Sequence, residues 1–221
     1  LRRFFAACDD CAFAQGGDPQ DAFDDLLAQL DATPLGNLDG DDLRFAVLSP
    51  TLSPSRWPAF AAALRAAQLG DPAPMRAIVD DLYHRDSLDV EWATRANDQR
   101  YPNAFQPFLD AGRHAASLFD YTTFNSGYGE IAFAVSPGHD GFYGPFRNPP
   151  WATTALVIGQ TRDTYTPHQW APRLAADLGN ARLLMARGDG HGVLTGGNPC
   201  VFGALLAYLE DQTLPNPGAR C

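Results

Sequence analysis

Residues 153–192 read TTALVIGQTRDTYTPHQWAPRLAADLGNARLLMARGDGHG. Within them Ala155-Leu156-Val157-Ile158 is a short, uninterrupted apolar run, the pattern of a strand buried on both faces. Residues 167–178 carry helical spacing, and Ala181-Arg182-Leu183-Leu184-Met185 reads as a second strand. A helix over 199–209, with Val201, Leu205 and Tyr208 on its inner face, completes a strand-helix-strand-helix order. Two strands joined through a helix of about a dozen residues predict a parallel sheet, because a tight hairpin cannot connect parallel strands.

Upstream the periodicity changes. Asp18-Pro19 supplies a cap and first turn, and Phe23, Leu26, Leu27 and Leu30 follow at spacings of three and four, which predicts an amphipathic helix. A second helix carries Leu43, Val47 and Leu48. A third runs from Trp57-Pro58 through Phe60 and Leu64 to Leu69 and stops at Gly70, a residue suited to a helix C-terminus. Asp71-Pro72 opens a fourth, with Met75, Ile78, Val79 and Leu82 inward, and a fifth spans roughly 101–118, interrupted by Pro102 and Pro107. The first 120 residues are therefore expected to be essentially all-α. Ile131 to Val135 is a short apolar run, and 137–150, rich in Gly, Pro and aromatic residues, reads as a loop.

The whole chain of 221 residues, 45% hydrophobic, is long enough for one core, or for one domain with an inserted cap. A formal net charge of −10 argues against nucleic acid or an anionic membrane as partner, since either must be met by clustered cations. No run of about 18 apolar residues suggests a membrane-spanning helix. The basic residues, 16 in number, are all Arg, which together with abundant Ala, Asp, Gly and Pro points to a GC-rich bacterial genome. The chain opens on Leu1-Arg2-Arg3-Phe4-Phe5, too short for a signal peptide, and reads as a segment beginning in mid-helix, processed or cut from a longer precursor. Four cysteines, Cys8, Cys11, Cys200 and Cys221, allow three pairings. Disulfides, and with them export to a secreted or cell-envelope location, fit better than a redox motif or half a zinc site at Cys8-x-x-Cys11, since zinc would need two further ligands and Cys200 and Cys221 lie 21 residues apart.

In open α/β sheets reactive groups gather where the strands end, since loops there converge over a rigid backbone. Asp163 follows the first strand and His191, within Gly190-His191-Gly192, follows the second, 28 residues on. An Asp so placed fixes the tautomer of a His and stabilises its imidazolium while the His moves a proton between nucleophile and leaving group. Singly, Asp163 reads as well as an N-cap of the following helix, and Gly-His-Gly as an ordinary loop. Their order along two strands favours catalysis.

These residues resemble the C-terminal domain of secreted tripeptidyl aminopeptidase-like serine peptidases, an α/β-hydrolase family related to proline aminopeptidases. The likeness lies in TALVIG, DTYTP, ARLLMARGDGHG, NPC and TLPNPGARC over the last 70 residues, and in CDDCAF and SRWPAF upstream. It implies that Asp163 and His191 belong to a catalytic triad and that Cys200 pairs with Cys221. It also implies a fold made of the C-terminal portion of an α/β-hydrolase: a helical cap and its approach over 1–136, a linker over 137–152, and the last parallel strands and helices over 153–221. The family's nucleophile sits on a G-x-S-x-G elbow upstream of the cap, and no such elbow occurs here. The family's usual cysteine pair between cap and Asp strand is likewise missing.

Inside the chain Ser136 precedes Asp163 and His191 in the right order, but Pro137 follows it and has no N–H to donate to an oxyanion. Ser126 is flanked by Phe124 and Tyr128, too bulky for a strained elbow. His84, His114, His139 and His168 lack metal-ligand spacing; His139-Asp140 could line a cleft, and Glu130 is one of three glutamates from which an acidic cap residue could come. The expected function is the C-terminal part of a secreted serine exopeptidase that releases short peptides from substrate N-termini, with no cofactor or metal. Its partners are a peptide substrate and the N-terminal half of the same hydrolase, which supplies the Ser, so the chain alone is expected to be inactive. A related esterase, or a non-catalytic remnant or binding module with exposed sheet edges, is the alternative.

Overall fold

The computed structural model describes residues 1–8, 10–84, 88–98, 100–118, 121, 128–135, 146–194 and 196–221. They fall into two compact units, one of Leu1–Ser49 with Pro58–Tyr143, the other of Pro50–Trp57 with Gly144–Cys221.

The first unit is helical. Helix α1 (Arg2–Ala6) buries Phe4 and Phe5. Helix α2 (Pro19–Ala32) starts where anticipated: the Asp18 carboxylate accepts the N–H groups of Gln20 at 2.7 Å and Asp21 at 3.2 Å, and Pro19 occupies the first turn, where its missing donor costs nothing. Its buried stripe is Phe23, Leu26, Leu27 and Leu30. A reciprocal capping box of Asp39 and Asp42 opens α3 (Gly40–Ala46). The single helix expected around 43–48 is broken, with α4 (Leu48–Leu52) following separately. Helix α5 (Trp57–Gln68) buries Phe60, Ala63, Leu64 and Ala67. Helices α6 (Ala73–His84) and α7 (Leu88–Asp98) follow, the latter not singled out by its polar sequence. Helix α8 (Gln106–Leu118) starts five residues later than 101, so that Pro107 falls in its first turn rather than its interior.

Aromatic rings make much of this core. Phe4 stacks on Phe13 at 5.8 Å and meets Phe60 edge-on at 5.3 Å, and all three are almost wholly enclosed. Each such ring contributes about 1.5–3 kcal/mol by burial. Arg44 binds Asp31 through two nitrogens at 2.7 and 2.6 Å, a fork geometry that raises specificity even at a half-exposed site. A smaller cluster forms from Phe108, Phe133 and Ala134, the last two in a 3-10 turn (Ile131–Val135).

The second unit is the expected strand-helix-strand-helix. Strand β1 (Ala155–Arg162) pairs in parallel with β2 (Ala181–Asp189), in register from Ala155 opposite Ala181 to Gln160 opposite Ala186. Both strands outrun their apolar stretches by four residues, because the ladder is made by backbone groups that polar residues also possess. Between Gln160 and Arg162 the register slips, Arg162 facing Asp189, so that β2 carries one extra residue in a bulge. Helix α9 (Trp170–Leu178) packs on both strands and begins three residues after 167. Gly159 permits that approach: a Cβ there would lie 2.6 Å from the Ala171 Cβ and 3.0 Å from the Met185 Sδ. Asn198 caps α10 (Pro199–Asp211), accepting the Cys200 N–H at 3.0 Å.

Cys200 is joined to Cys221, and Cys8 to Cys11. The first bond closes a loop of 21 residues, a constraint worth about 3 kcal/mol on chain-entropy grounds. It also fixes the C-terminal segment, where the Cys221 N–H donates to the Met185 carbonyl at 2.9 Å and Arg220 bridges to β2. On its other edge β2 holds β1, and among the described residues β1 has no further strand neighbour. No described helix is long and apolar enough to cross a membrane.

Candidate active site

Asp163 is the first residue beyond β1, and His191 lies two beyond β2. Because Arg162 faces Asp189 in the register, the two loops leave the sheet side by side. The side chains meet: His191 Nδ1 is 2.9 Å from Asp163 Oδ1 and 3.1 Å from Oδ2.

The Asp loop is built around the carboxylate. Oδ1 accepts the N–H groups of Tyr165 at 2.9 Å and Thr166 at 2.8 Å, while Oδ2 accepts the Thr166 hydroxyl at 2.8 Å and the Gly192 N–H at 3.4 Å. This is an Asx-type turn closed by the threonine, which gives the D-x-x-T spacing a mechanical reason. The turn ends before α9 begins, so Asp163 does not cap that helix, the alternative role its sequence position allowed. Its side chain is 5% exposed. Burial pushes the carboxyl pKa up, but the Thr166 N–H, the His191 ring, the Thr166 hydroxyl and the Tyr165 N–H outweigh it and hold the pKa below the ordinary carboxylate value. The group is therefore a fixed anion at neutral pH.

The His loop needs its glycines. Gly190 (φ +98°) and Gly192 (φ +82°) both occupy left-handed backbone, and a Cβ at Gly190 would come within 2.5 Å of the Leu52 carbonyl oxygen. That oxygen belongs to the strap Pro50–Trp57 and accepts the His191 N–H at 2.8 Å. The neighbouring Thr51 carbonyl accepts the Thr164 hydroxyl at 3.2 Å, and the Trp57 indole N–H closes the strap on the Pro50 carbonyl at 2.9 Å. The His191 side chain remains 38% exposed, with the Tyr165 ring tilted against it at 4.9 Å.

A carboxylate on Nδ1 dictates the chemistry of the ring. The anion accepts the Nδ1 proton, which leaves Nε2 as the basic nitrogen of the neutral imidazole. Such a ring can take a proton from a hydroxyl and return it to a leaving group. Among the described residues no group of three His, Cys, Asp or Glu side chains could hold a metal ion.

Other candidates fare differently. Ser136, Ser126, His139 and Asp140 lie outside the described residues. Of the remaining histidines, His114 and His168 are exposed. Glu130 forms an ion pair with Arg95, whose guanidinium also stands 5.7 Å from the Phe133 ring centre. Two contributors escaped the sequence reading: Gln160, polar at the end of an otherwise apolar strand, and the strap, which reaches the site through backbone carbonyls and so has no side-chain signature.

Comparison with known proteins places this geometry. Residues 144–221 match the family described as TAP-like protein. A hydrolase of Mycobacterium bovis and carboxylesterase B of Mycobacterium tuberculosis are each 28% identical to the chain over 191 residues, covering 81% of it and 36% of the relative. The chain thus spans about a third of the length of these curated relatives. With paired Asp and His side chains at the ends of two parallel strands, residues 144–221 match the TAP-like family, and the fold of this segment is consistent with the C-terminal part of an α/β-hydrolase.

Proposed function

We propose that this chain is the C-terminal part of a secreted serine exopeptidase that releases short peptides from substrate N-termini. Asp163 and His191 are two members of its triad, and the N-terminal half of the same hydrolase contributes the serine. The observation that carries the reading is the 2.9 Å contact between His191 Nδ1 and a fixed carboxylate at the ends of adjacent parallel strands. In the reaction the serine hydroxyl loses its proton to Nε2 as its oxygen attacks the scissile carbonyl. The resulting imidazolium is stabilised by Asp163 and gives the proton to the departing amine, and water then repeats the cycle on the acyl-enzyme.

Two features support a missing half. Strand β1 has an edge without a strand neighbour among the described residues. Helix α10 is apolar all round yet fully buries only Val201, leaving Phe202, Leu206 and Leu209 exposed. The disulfides fit an oxidising compartment, and the net charge of −10 suits a peptide better than a polyanion. The mechanism requires no cofactor. A related esterase is the second reading, favoured by the name of the carboxylesterase B relative, since the same Asp-His pair serves either leaving group.

The test is turnover by the complete hydrolase on matched substrates: a short peptide with a free N-terminus and an amide-linked leaving group at its C-terminus, its N-blocked form, and an acyl ester. Hydrolysis of the free peptide, lost on blocking and on H191A substitution, is expected. Cleavage of the ester alone would make the protein an esterase. Turnover unaffected by both H191A and D163N would remove the triad assignment.

A further inference from the structure

Gln160 and Ser49 are the buried polar residues among those described, and Gln160 lies beside the candidate site. Its side chain is 8% exposed, on β1, opposite Ala186 and immediately before the bulge. Its Nε2 donates to the Gly190 carbonyl at 2.9 Å. That carbonyl and the His191 N–H are the two polar ends of one peptide group, and the N–H donates to the Leu52 carbonyl at 2.8 Å. A single peptide plane, the one entering His191, is therefore held from both sides. Orientation of the amide follows from the partner, since only the NH₂ end of a carboxamide can face a carbonyl oxygen.

Neither bond belongs to the sheet ladder, which slips between Gln160 and Arg162 as it approaches the loop. A ring on a loop beyond a bulge needs some other restraint if Nδ1 is to stay on Asp163, and the restraint must act on the backbone, because Gly190 and Gly192 leave that backbone unusually free. Gly188 also abuts the Gln160 carboxamide: a Cβ there would lie 3.0 Å from Oε1. The amide thus sits against the last residues of β2 and the loop that follows them.

We infer that Gln160 is a positioning residue, which together with the Leu52 carbonyl of the strap Pro50–Trp57 locks the Gly190-His191 peptide group and so holds the His191 ring on Asp163. The inference rests on the triad reading for its catalytic consequence, while the positional claim stands on its own. A Gln that merely filled space or satisfied a buried carbonyl would contribute to stability and leave the ring unaffected.

Two variants of the 221-residue chain separate these roles. Gln160→Met keeps the side-chain length and removes the donor. Thr164→Val removes the exposed hydroxyl that ties the strap to the Asp loop, without touching the core. In histidine-labelled protein, nitrogen-15 spectra report whether the His191 proton resides on Nδ1, and hydrogen exchange reports opening of its backbone N–H. Q160M is expected to mix the two tautomers and to speed exchange of the His191 N–H by about 10-fold or more; T164V is expected to speed that exchange to a lesser degree. In the complete hydrolase Q160M is expected to lower kcat by roughly 10- to 100-fold with KM little changed, the signature of a misplaced catalytic group. Wild-type tautomer and exchange in both variants, whatever their melting temperatures, would overturn the inference. A disturbed ring in Q160M alongside full activity in H191A would instead reject the triad reading and leave the positioning role standing.

Discussion

The Asp163 carboxylate is almost entirely enclosed yet ionised, since the donors of Tyr165, Thr166, His191 and Gly192 take the place of water. Its folded-state pKa lies below the ordinary value. A depressed carboxyl pKa contributes stability that is fully present above the unfolded value, about 3.9, and that disappears as pH falls through the lower, folded one. Asp163→Asn should therefore destabilise the protein by about 2 kcal/mol near neutral pH, the usual worth of a hydrogen bond to a charged group. The gap between wild type and variant should narrow only below about pH 4. Urea unfolding of both proteins across pH 3–7 reads this directly; a gap that stays constant down the acid limb would show that the carboxylate's charge is not what the fold exploits. Much of this site was legible at the level of residues. D-x-x-T and G-H-G name the members of the pair, because turns and left-handed backbone leave signatures in Asp, Thr and Gly. Gln160 and Leu52 left none: one looks like a polar interruption of a strand, and the other acts through an atom that every residue possesses.

At the scale of elements, sequence and structure agree where burial drives the pattern and part where backbone pairing does. Apolar runs mark the starts of β1 and β2, but their polar ends, including Gln160 and Arg162, continue the ladder as far as the bulge. The cap of α2 was readable because Asp18 precedes Pro19 and accepts N–H groups in the structure, and Asn198 before Pro199 caps α10 in the same way. Helix α9 was expected from 167, yet Thr166 is committed to the Asp163 turn and the helix cannot begin until that turn is complete. The seat of α9 on the sheet is equally specific. At Gly159 a methyl group would stand 2.6 Å from the Ala171 Cβ, so Gly159→Ala should cost about 1–3 kcal/mol by overpacking. Adding Ala171→Gly opens the opposing side but lowers helix propensity by about 1 kcal/mol. A double-mutant cycle measured by thermal unfolding should give a favourable coupling of at least about 0.5 kcal/mol, whereas additive losses would place the strain of G159A elsewhere.

For the molecule as a whole, the division of roles is lopsided: a helical unit with an aromatic core of its own, and a unit with, among the described residues, two strands, far fewer than the five or so of a typical sheet. That second unit nevertheless carries the paired Asp and His, because the segment that matches the TAP-like family contains the strand ends that position them. Most of the helical unit was readable from periodicity, α7 and the break after α3 excepted, and the two-stranded sheet from strand-helix alternation. On the reading proposed above, the N-terminal half of the hydrolase completes both the sheet and the triad. Helix α10 offers a test of that dependence. Leu206 is 51% and Leu209 66% exposed, positions at which a charge in the chain alone should change stability by less than about 0.5 kcal/mol. If the N-terminal half of the hydrolase covers this face, the same substitutions there place a charge in a core, where an unpaired ionised group costs several kcal/mol. Leu206→Asp with Leu209→Asp should therefore leave unfolding of the 221-residue chain nearly unchanged, yet lower the melting temperature of the complete hydrolase by many degrees. Equal effects in the two contexts would mean that α10 faces solvent in both, and that the N-terminal half does not cover this helix.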